Sequence, residues 1–223
     1  MLAIMKGILS PEALRTINQK LAGEDFDDGK KTAKGFAREV KHNLQLDPNR
    51  PVAQELAAQA QKIILQDRAF HALTWAKKMQ PLRFCKYEVG MGYGEHLDLP
   101  TMGFGNALMR TDISMTIFLT PQSSYEGGEL VFQSEYGTKS IRGDAGDAII
   151  YPANMIHQVN PVTRGERVVA ITWLESRVRE PAQRKILYEM QHALNQLDGR
   201  HGASPELLTL RNSLYQLTRR WVE

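Results

Sequence analysis

Between about Leu82 and Ser176 the chain reads as strand after strand with no helix between them, and that run limits the fold more than any other feature. Apolar residues there recur at every second position and turn signals return at short intervals, whereas both flanks repeat at helical spacing. The expected strands are 83–89, 112–119, 129–133, 139–141, 148–151, 156–159 and 167–174. In the second of these, Ile113, Met115, Ile117 and Leu119 alternate with Ser114, Thr116 and Phe118. Many short strands at this spacing predict an antiparallel sandwich or barrel, and a double-sheet jelly roll, or double-stranded β-helix, fits. With its helical flanks the chain is of the α+β class.

The N-terminal flank opens on a short strand. Ser10, Pro11 and Glu12 then supply an N-cap, a first-turn proline and an early acid ahead of Leu14, Ile17 and Leu21. That helix is expected to end near Gly23, followed by a polar turn over 25–31. A second helix starts at about Pro51 with Val52, Leu56, Ile63 and Ile64 on one face. At the other end, Pro181 opens a helix carrying Ile186, Leu187, Met190, Ala193, Leu194 and Leu197, with Gly199 as its expected stop. Ser204-Pro205-Glu206 starts another, whose Leu207, Leu210, Leu214, Leu217 and Trp221 form a narrow seam. The seam is expected to pack on the sheet; a homo-oligomer contact is the alternative. The division is 1–77 for the N-terminal helical segment, 78–177 for the jelly-roll core and 178–223 for the C-terminal helical extension.

At 223 residues one core with helical additions fits better than two equal halves. A charge of +3, with Lys and Arg scattered among acids, argues against a nucleic-acid or membrane footprint. No stretch approaches the roughly 20 apolar residues that span a bilayer. Lys6 interrupts the apolar opening and no small-residue cleavage site follows, so no export signal is read. Cys85, the sole cysteine, is expected to be core filler, and a reducing cytoplasm is the simplest location.

A catalytic ferrous site takes two imidazoles and one carboxylate on one face and leaves positions open. His96-Leu97-Asp98 offers two such ligands, because residues two apart on an extended segment share a side, and His157 offers the third from a distant strand. His-x-Asp alone is a weak signal. Arg167, ten residues beyond His157 and past Gly165, strengthens it. A hairpin about Thr163 to Glu166 would set Arg167 opposite Pro161, about four residues or ~13 Å from His157, which suits a five-carbon diacid. The planar guanidinium grips a carboxylate bidentately and stays charged.

Several runs resemble the prolyl/lysyl-hydroxylase branch of Fe(II)/2-oxoglutarate dioxygenases, and more closely the bacterial PKHD-type hydroxylases. They are Tyr87-Glu88-Val89-Gly90 with Gly94-Glu95-His96-Leu97-Asp98; Arg110-Thr111-Asp112-Ile113-Ser114-Met115-Thr116 with Phe118-Leu119; Tyr125-Glu126-Gly127-Gly128-Glu129-Leu130; Tyr151-Pro152-Ala153 before His157; and Val162-Thr163-Arg164-Gly165-Glu166-Arg167. The likeness reaches upstream to Thr32-Ala33, Lys41 and Asn43-Leu44-Gln45-Leu46, and downstream to the terminal helices; Lys34 and Lys86 depart from it. It implies Fe(2+) on His96, Asp98 and His157, the distal carboxylate of 2-oxoglutarate on Arg167, and help from Tyr87. It further implies oxidative decarboxylation with O2 to succinate and CO2, hydroxylation of a C–H bond, and L-ascorbate as the helper that keeps iron reduced. The substrate would be a small molecule or a peptidyl residue, with prolyl, lysyl and iron-uptake chemistry suggested by the family name and its members.

Plainer readings stand beside these. Tyr87 suits a packed strand aromatic equally well. His42, His71, His192 and His201 read as structural or surface residues, Trp173 as core, and Asp144 and Asp147 as turn formers. A cupin-like metal-binding module without oxygenase turnover is the alternative function, although it has no need of Arg167. A structural zinc site would need a fourth ligand, usually cysteine. Substrate contacts are expected from 101–107 and from around Lys41 and Asn43.

Overall fold

Ile113, Met115 and Ile117 point one way and Ser114, Thr116 and Phe118 the other, yet all six are buried. Such a strand needs cover on both faces. The computed structural model describes residues 2–103, 105–134 and 137–223, and in it Ile113–Phe118 lies inside an eight-stranded sheet. The order is Ala3–Met5, Ala148–Pro152, Ile113–Phe118, Arg167–Ser176, Arg83–Tyr87, Leu44–Gln45 and Asp27–Asp28, with Ala76–Met79 paired to the far end of Arg167–Ser176. Every pairing is antiparallel.

One face of this sheet meets the helices. Ile113, Met115, Ile117, Ile150, Val168 and Leu174 join Leu14, Ile17, Leu56, Ile64 and Phe70 in a single apolar cluster. The other face meets a smaller sheet, ordered Gly137–Ile141, Leu130–Ser134, His157–Val159, Gly92–His96 and Lys41–His42. Phe118, Ile149, Tyr151 and Val169 from the large sheet pack there against Leu130, Phe132 and Val159 from the small one. Two antiparallel sheets face to face, with helices outside, make the expected α+β jelly roll.

The flanks agree with the sequence in their starts more than in their stops and faces. Ser10 accepts from the Ala13 N–H and Ser204 from the Leu207 N–H, each capping a proline-initiated helix, Pro11–Leu21 and Pro205–Trp221. In Pro51–Gln66 the buried stripe is Ala53, Leu56, Ala57, Ala60 and Ile64; Ile63 is exposed and Val52 half-buried. Small alanines let that helix lie close to its neighbours, so bulk gave the wrong stripe. Pro181–His201 runs through Gly199 and stops at Gly202, whose φ of 68° is a value that glycine adopts readily and other residues rarely do. The C-terminal seam does not pack on the sheet. Leu207 and Leu214 pack on Leu187 and Leu194 of the preceding helix, with Trp75 and Trp221 beside them, while Leu210 is exposed. A helical hairpin hides both seams locally, which the sheet, already covered by other helices, could not do.

The first third also holds strands of two to four residues, 27–28, 41–42, 44–45 and 76–79, and the helix Arg68–Thr74. Pieces that short carry no readable period. Phe70 of that helix is fully buried, so Phe70→Ala should cost about 3–5 kcal/mol of stability. Urea unfolding of the two proteins checks this, and a loss under about 1 kcal/mol would mean that the helix does not hold the sheet's outer face. Among the described residues no helix is long and apolar enough to cross a membrane.

Candidate metal and anion site

His96 ends the strand Gly92–His96, His157 begins the strand His157–Val159, and the two residues are direct cross-strand partners. Paired residues put their side chains on the same face of a sheet, a few ångströms apart. The ring centroids lie 4.3 Å apart. Asp98 lies beyond the strand end and folds in beside them, its Oδ2 3.9 Å from His157 Nε2. The Ser114 hydroxyl, from the large sheet, donates to the same Oδ2 and fixes the carboxylate. Leu97 and Leu99 point out to solvent, as alternation about Asp98 requires.

One potential ligand atom from each of His96, Asp98 and His157 falls within 4.8 Å of the others. His96 Nδ1–H donates to the Gly94 carbonyl at 2.8 Å and His157 Nδ1–H to the Met155 carbonyl at 2.9 Å. A carbonyl only accepts, so both rings carry their proton on Nδ1 and offer the Nε2 lone pair. Burial, and then the adjacent His157, hold His96 well below the ordinary histidine range, so the ring is neutral at pH 7. Tyr93 stacks on His96 with 3.6 Å between centroids. The Tyr151 hydroxyl lies 3.3 Å from His157 Nε2. Three ligands without a cysteine suit a cation with open positions, not a closed structural zinc. Cys85 is buried in the apolar cluster that holds Tyr87, Phe118 and Tyr151, with the Gln45 amide donating to its sulfur at 3.1 Å.

Arg167 is 1% exposed. It starts the strand Arg167–Ser176 and is the cross-strand partner of Tyr87. Its guanidinium lies 4.9 Å from the Tyr87 ring and 5.5 Å from the Phe118 ring, and none of its three nitrogens has a hydrogen-bond partner. The Tyr125 hydroxyl is likewise buried without a partner, and the tyrosine is close enough for the two groups to perturb each other. Burial pushes the Tyr87 phenol far above its ordinary value, so it stays protonated and able to donate. A buried cation with nothing to neutralise it is costly. The residues present therefore fit an anion with several acceptor oxygens.

The hairpin expected to link His157 and Arg167 is not formed. Val162–Arg164 pairs with Glu126–Gly127, and Arg167 enters the large sheet while His157 sits in the small one. They face the same interior from opposite sheets, with Tyr151 near both, because successive jelly-roll strands alternate between sheets. Ser114, Phe118, Tyr93 and Gly128 went unread as site residues. Parity alone pointed to two of them, since Ser114 and Phe118 share the inward face of Ile113–Phe118. His42, His71, His192 and His201 are exposed, and Asp147 binds Lys6 and the Gly7 N–H in a turn. Trp173 is buried. Of the expected substrate loop 101–107, Phe104 lies outside the described residues.

Residues 82–175 match the 2OG-Fe(II) oxygenase superfamily and residues 182–223 the PKHD-type hydroxylase C-terminal domain. A PKHD-type hydroxylase of Verminephrobacter eiseniae is 38% identical over 226 residues, and one of Stutzerimonas stutzeri is 37% identical over 225; each alignment covers all of both chains. Among solved structures, a Pseudomonas putida prolyl-4-hydroxylase superposes with a TM-score of 0.53 at 19% identity, covering 79% of this chain and 92% of that one. A Trichoplax adhaerens prolyl hydroxylase, in complex with a peptide fragment, gives 0.57 at 13% identity over 78% and 83%. At those identities the likeness speaks for the fold alone. The full-length relatives carry the family: this chain belongs to the PKHD-type hydroxylases and is a 2-oxoglutarate-dependent Fe(II) dioxygenase.

Proposed function

We propose that His96, Asp98 and His157 hold the ferrous ion and that Arg167, with Tyr87, binds the distal carboxylate of 2-oxoglutarate. The observation that carries this is the buried, unpartnered guanidinium in the same interior as the three-residue cluster. Bound iron and cosubstrate supply oxidative decarboxylation by O2 to succinate and CO2, coupled to hydroxylation of a C–H bond.

The chain's own part is preorganisation. Two backbone carbonyls fix the histidine tautomers, Ser114 holds the aspartate, and the Tyr87 and Phe118 rings keep water off the guanidinium. L-ascorbate would restore ferrous iron after unproductive turnovers. The substrate is a small molecule or a peptidyl residue. A homo-oligomer contact through the last helix would use Leu208, Leu210 and Tyr215, which are exposed, because Leu207 and Leu214 are already covered. Cys85, buried and without a disulfide, is compatible with a reducing cytoplasm.

The test is to load apo-protein with Fe(II) and 2-oxoglutarate without oxygen, admit oxygen with ascorbate present, and assay succinate. Succinate above the protein-free background is expected even without a second substrate; its absence would overturn the assignment. Gly128 gives an independent check. Its φ is 66°, and a Cβ there would stand 2.8 Å from Arg167 Cδ. Gly128→Ala should raise KM for 2-oxoglutarate on the order of tenfold, by moving the guanidinium, and lower stability by about 1–2 kcal/mol. An unchanged KM in a folded variant would place the cosubstrate away from Arg167.

A further inference from the structure

Lys41, near which substrate contacts are expected from the sequence, is a second cation in the interior, and neither the metal cluster nor the Arg167 pocket takes it up. It is 5% exposed, on the strand Lys41–His42 that closes the small sheet, and is the cross-strand partner of Tyr93. Its ammonium lies 5.4 Å from the centre of the Tyr93 ring, and that ring stacks on His96. Only one aromatic ring therefore separates Lys41 from a candidate metal ligand. One N–H donates to Thr32 Oγ1 at 2.9 Å, and Thr32 donates onward to Gln45 Oε1. This chain of bonds aims the ammonium without neutralising it. None of the ion pairs among the described residues involves Lys41.

Asn43, two residues on, is 2% exposed; its carboxamide oxygen lies against Gly29, and neither polar atom of the side chain makes a hydrogen bond of good geometry. It sits where the chain crosses from the small sheet to the large one, close to the Tyr87 phenol. A buried ammonium with no ion-pair partner and a buried carboxamide thus lie two residues apart where the chain passes from one sheet to the other.

Charge counting says what they lack. Fe(II) with Asp98 amounts to one positive charge, and a 2-oxoglutarate dianion with Arg167 to one negative charge. The loaded site is neutral without Lys41. A lysine carries a compact, strongly hydrated charge whose burial without a counterion costs several kcal/mol. We infer that Lys41, with Asn43 beside it, receives a carboxylate of the prime substrate, so that the molecule hydroxylated is a carboxylate-bearing one, either a free acid or the terminal residue of a chain. This rests on the metal and cosubstrate assignment above and adds the substrate class. Burial lowers the affinity of Lys41 for its proton, and an arriving carboxylate would reverse that effect. An internal residue of a polypeptide brings no backbone carboxylate and leaves the ammonium uncompensated.

The test uses full-length protein loaded with Mn(II) and saturating 2-oxoglutarate, and reads paramagnetic broadening of ligand proton signals, which falls off steeply with distance from the metal. Acetate stands for a free acid and N-acetylglycine for a chain end, each compared with its amide. Saturable broadening of at least one carboxylate, at least tenfold stronger in apparent affinity than its amide, is expected in wild type. Lys41→Met should lose that difference and Lys41→Arg should keep it. Equal behaviour of acid and amide, no broadening of either acid, or a Lys41→Met protein that binds acids as wild type does would each overturn the inference. The wild-type acid-against-amide comparison stands even where a variant fails to fold. Broadening of 2-oxoglutarate itself reports the metal site; its absence in wild type would sink the underlying assignment instead.

Discussion

Arg167→Met should raise KM for 2-oxoglutarate by about 10²–10³-fold while leaving the apo-protein at least as stable as wild type. The two halves of this result have one cause. In the apo-protein the guanidinium is buried between Tyr87 and Phe118 with no partner, and such a charge costs several kcal/mol that an apolar side chain of similar length does not. With cosubstrate bound, the same group makes charge-assisted bidentate bonds, and losing about 3–4 kcal/mol corresponds to two to three powers of ten in affinity. Wild type at 100 times its Kd should gain about 2.7 kcal/mol from 2-oxoglutarate by mass action, and the variant almost nothing. Thermal unfolding with and without the diacid, in Mn(II), reads both halves. A variant that is stabilised by 2-oxoglutarate as much as wild type would remove Arg167 from the site, and a strongly destabilised apo-variant would mean the guanidinium has a structural partner.

Loss of His157 should be the most damaging single change to turnover. His157→Ala removes one of the three candidate ligands and also uncovers its cross-strand partner His96. Succinate formation should drop on the order of 10³-fold or more, beyond the 10–100-fold typical of removing a group that only orients a ligand. Ser114→Ala supplies that milder comparison, since Ser114 reaches Asp98 and not the ion. The order matters more than either value: His157→Ala well below Ser114→Ala, and both below wild type, in Mn(II) affinity as well as in rate. Unchanged metal affinity in a folded His157→Ala protein would reject the three-ligand site. Truncating this buried ring beside Phe132 and Tyr151 should cost a few kcal/mol of stability, so folding is checked by urea unfolding.

The sequence was most legible where a local rule governs. Period-two alternation across residues 112–119 assigned each side chain of Ile113–Phe118 to its face, and Ser10-Pro11 and Ser204-Pro205 marked helix starts to the residue. Helix stops and faces were less legible. Gly199 continues a helix because glycine inside one costs only about 1 kcal/mol, which packing of Leu187 and Leu194 offsets. The stripe of Pro51–Gln66 was misread because close helix packing selects alanine, whereas the eye selects bulk.

His96, Asp98, His157 and Arg167 could be picked out from spacing, residue chemistry and family likeness, and the chain does bring the three metal candidates within 4.8 Å. What the one-dimensional pattern could not supply was the route. Arg167 reaches the interior by crossing to the other sheet and pairing with Tyr87, not by a hairpin running back along His157. Strand pairing is a choice among partners far apart in sequence, settled by which arrangement buries both faces of Ile113–Phe118, and no short window of residues contains that information. The same holds for Lys41: its residue type is ordinary, and only the closing of one sheet over the other strips its ammonium of water one aromatic ring away from His96.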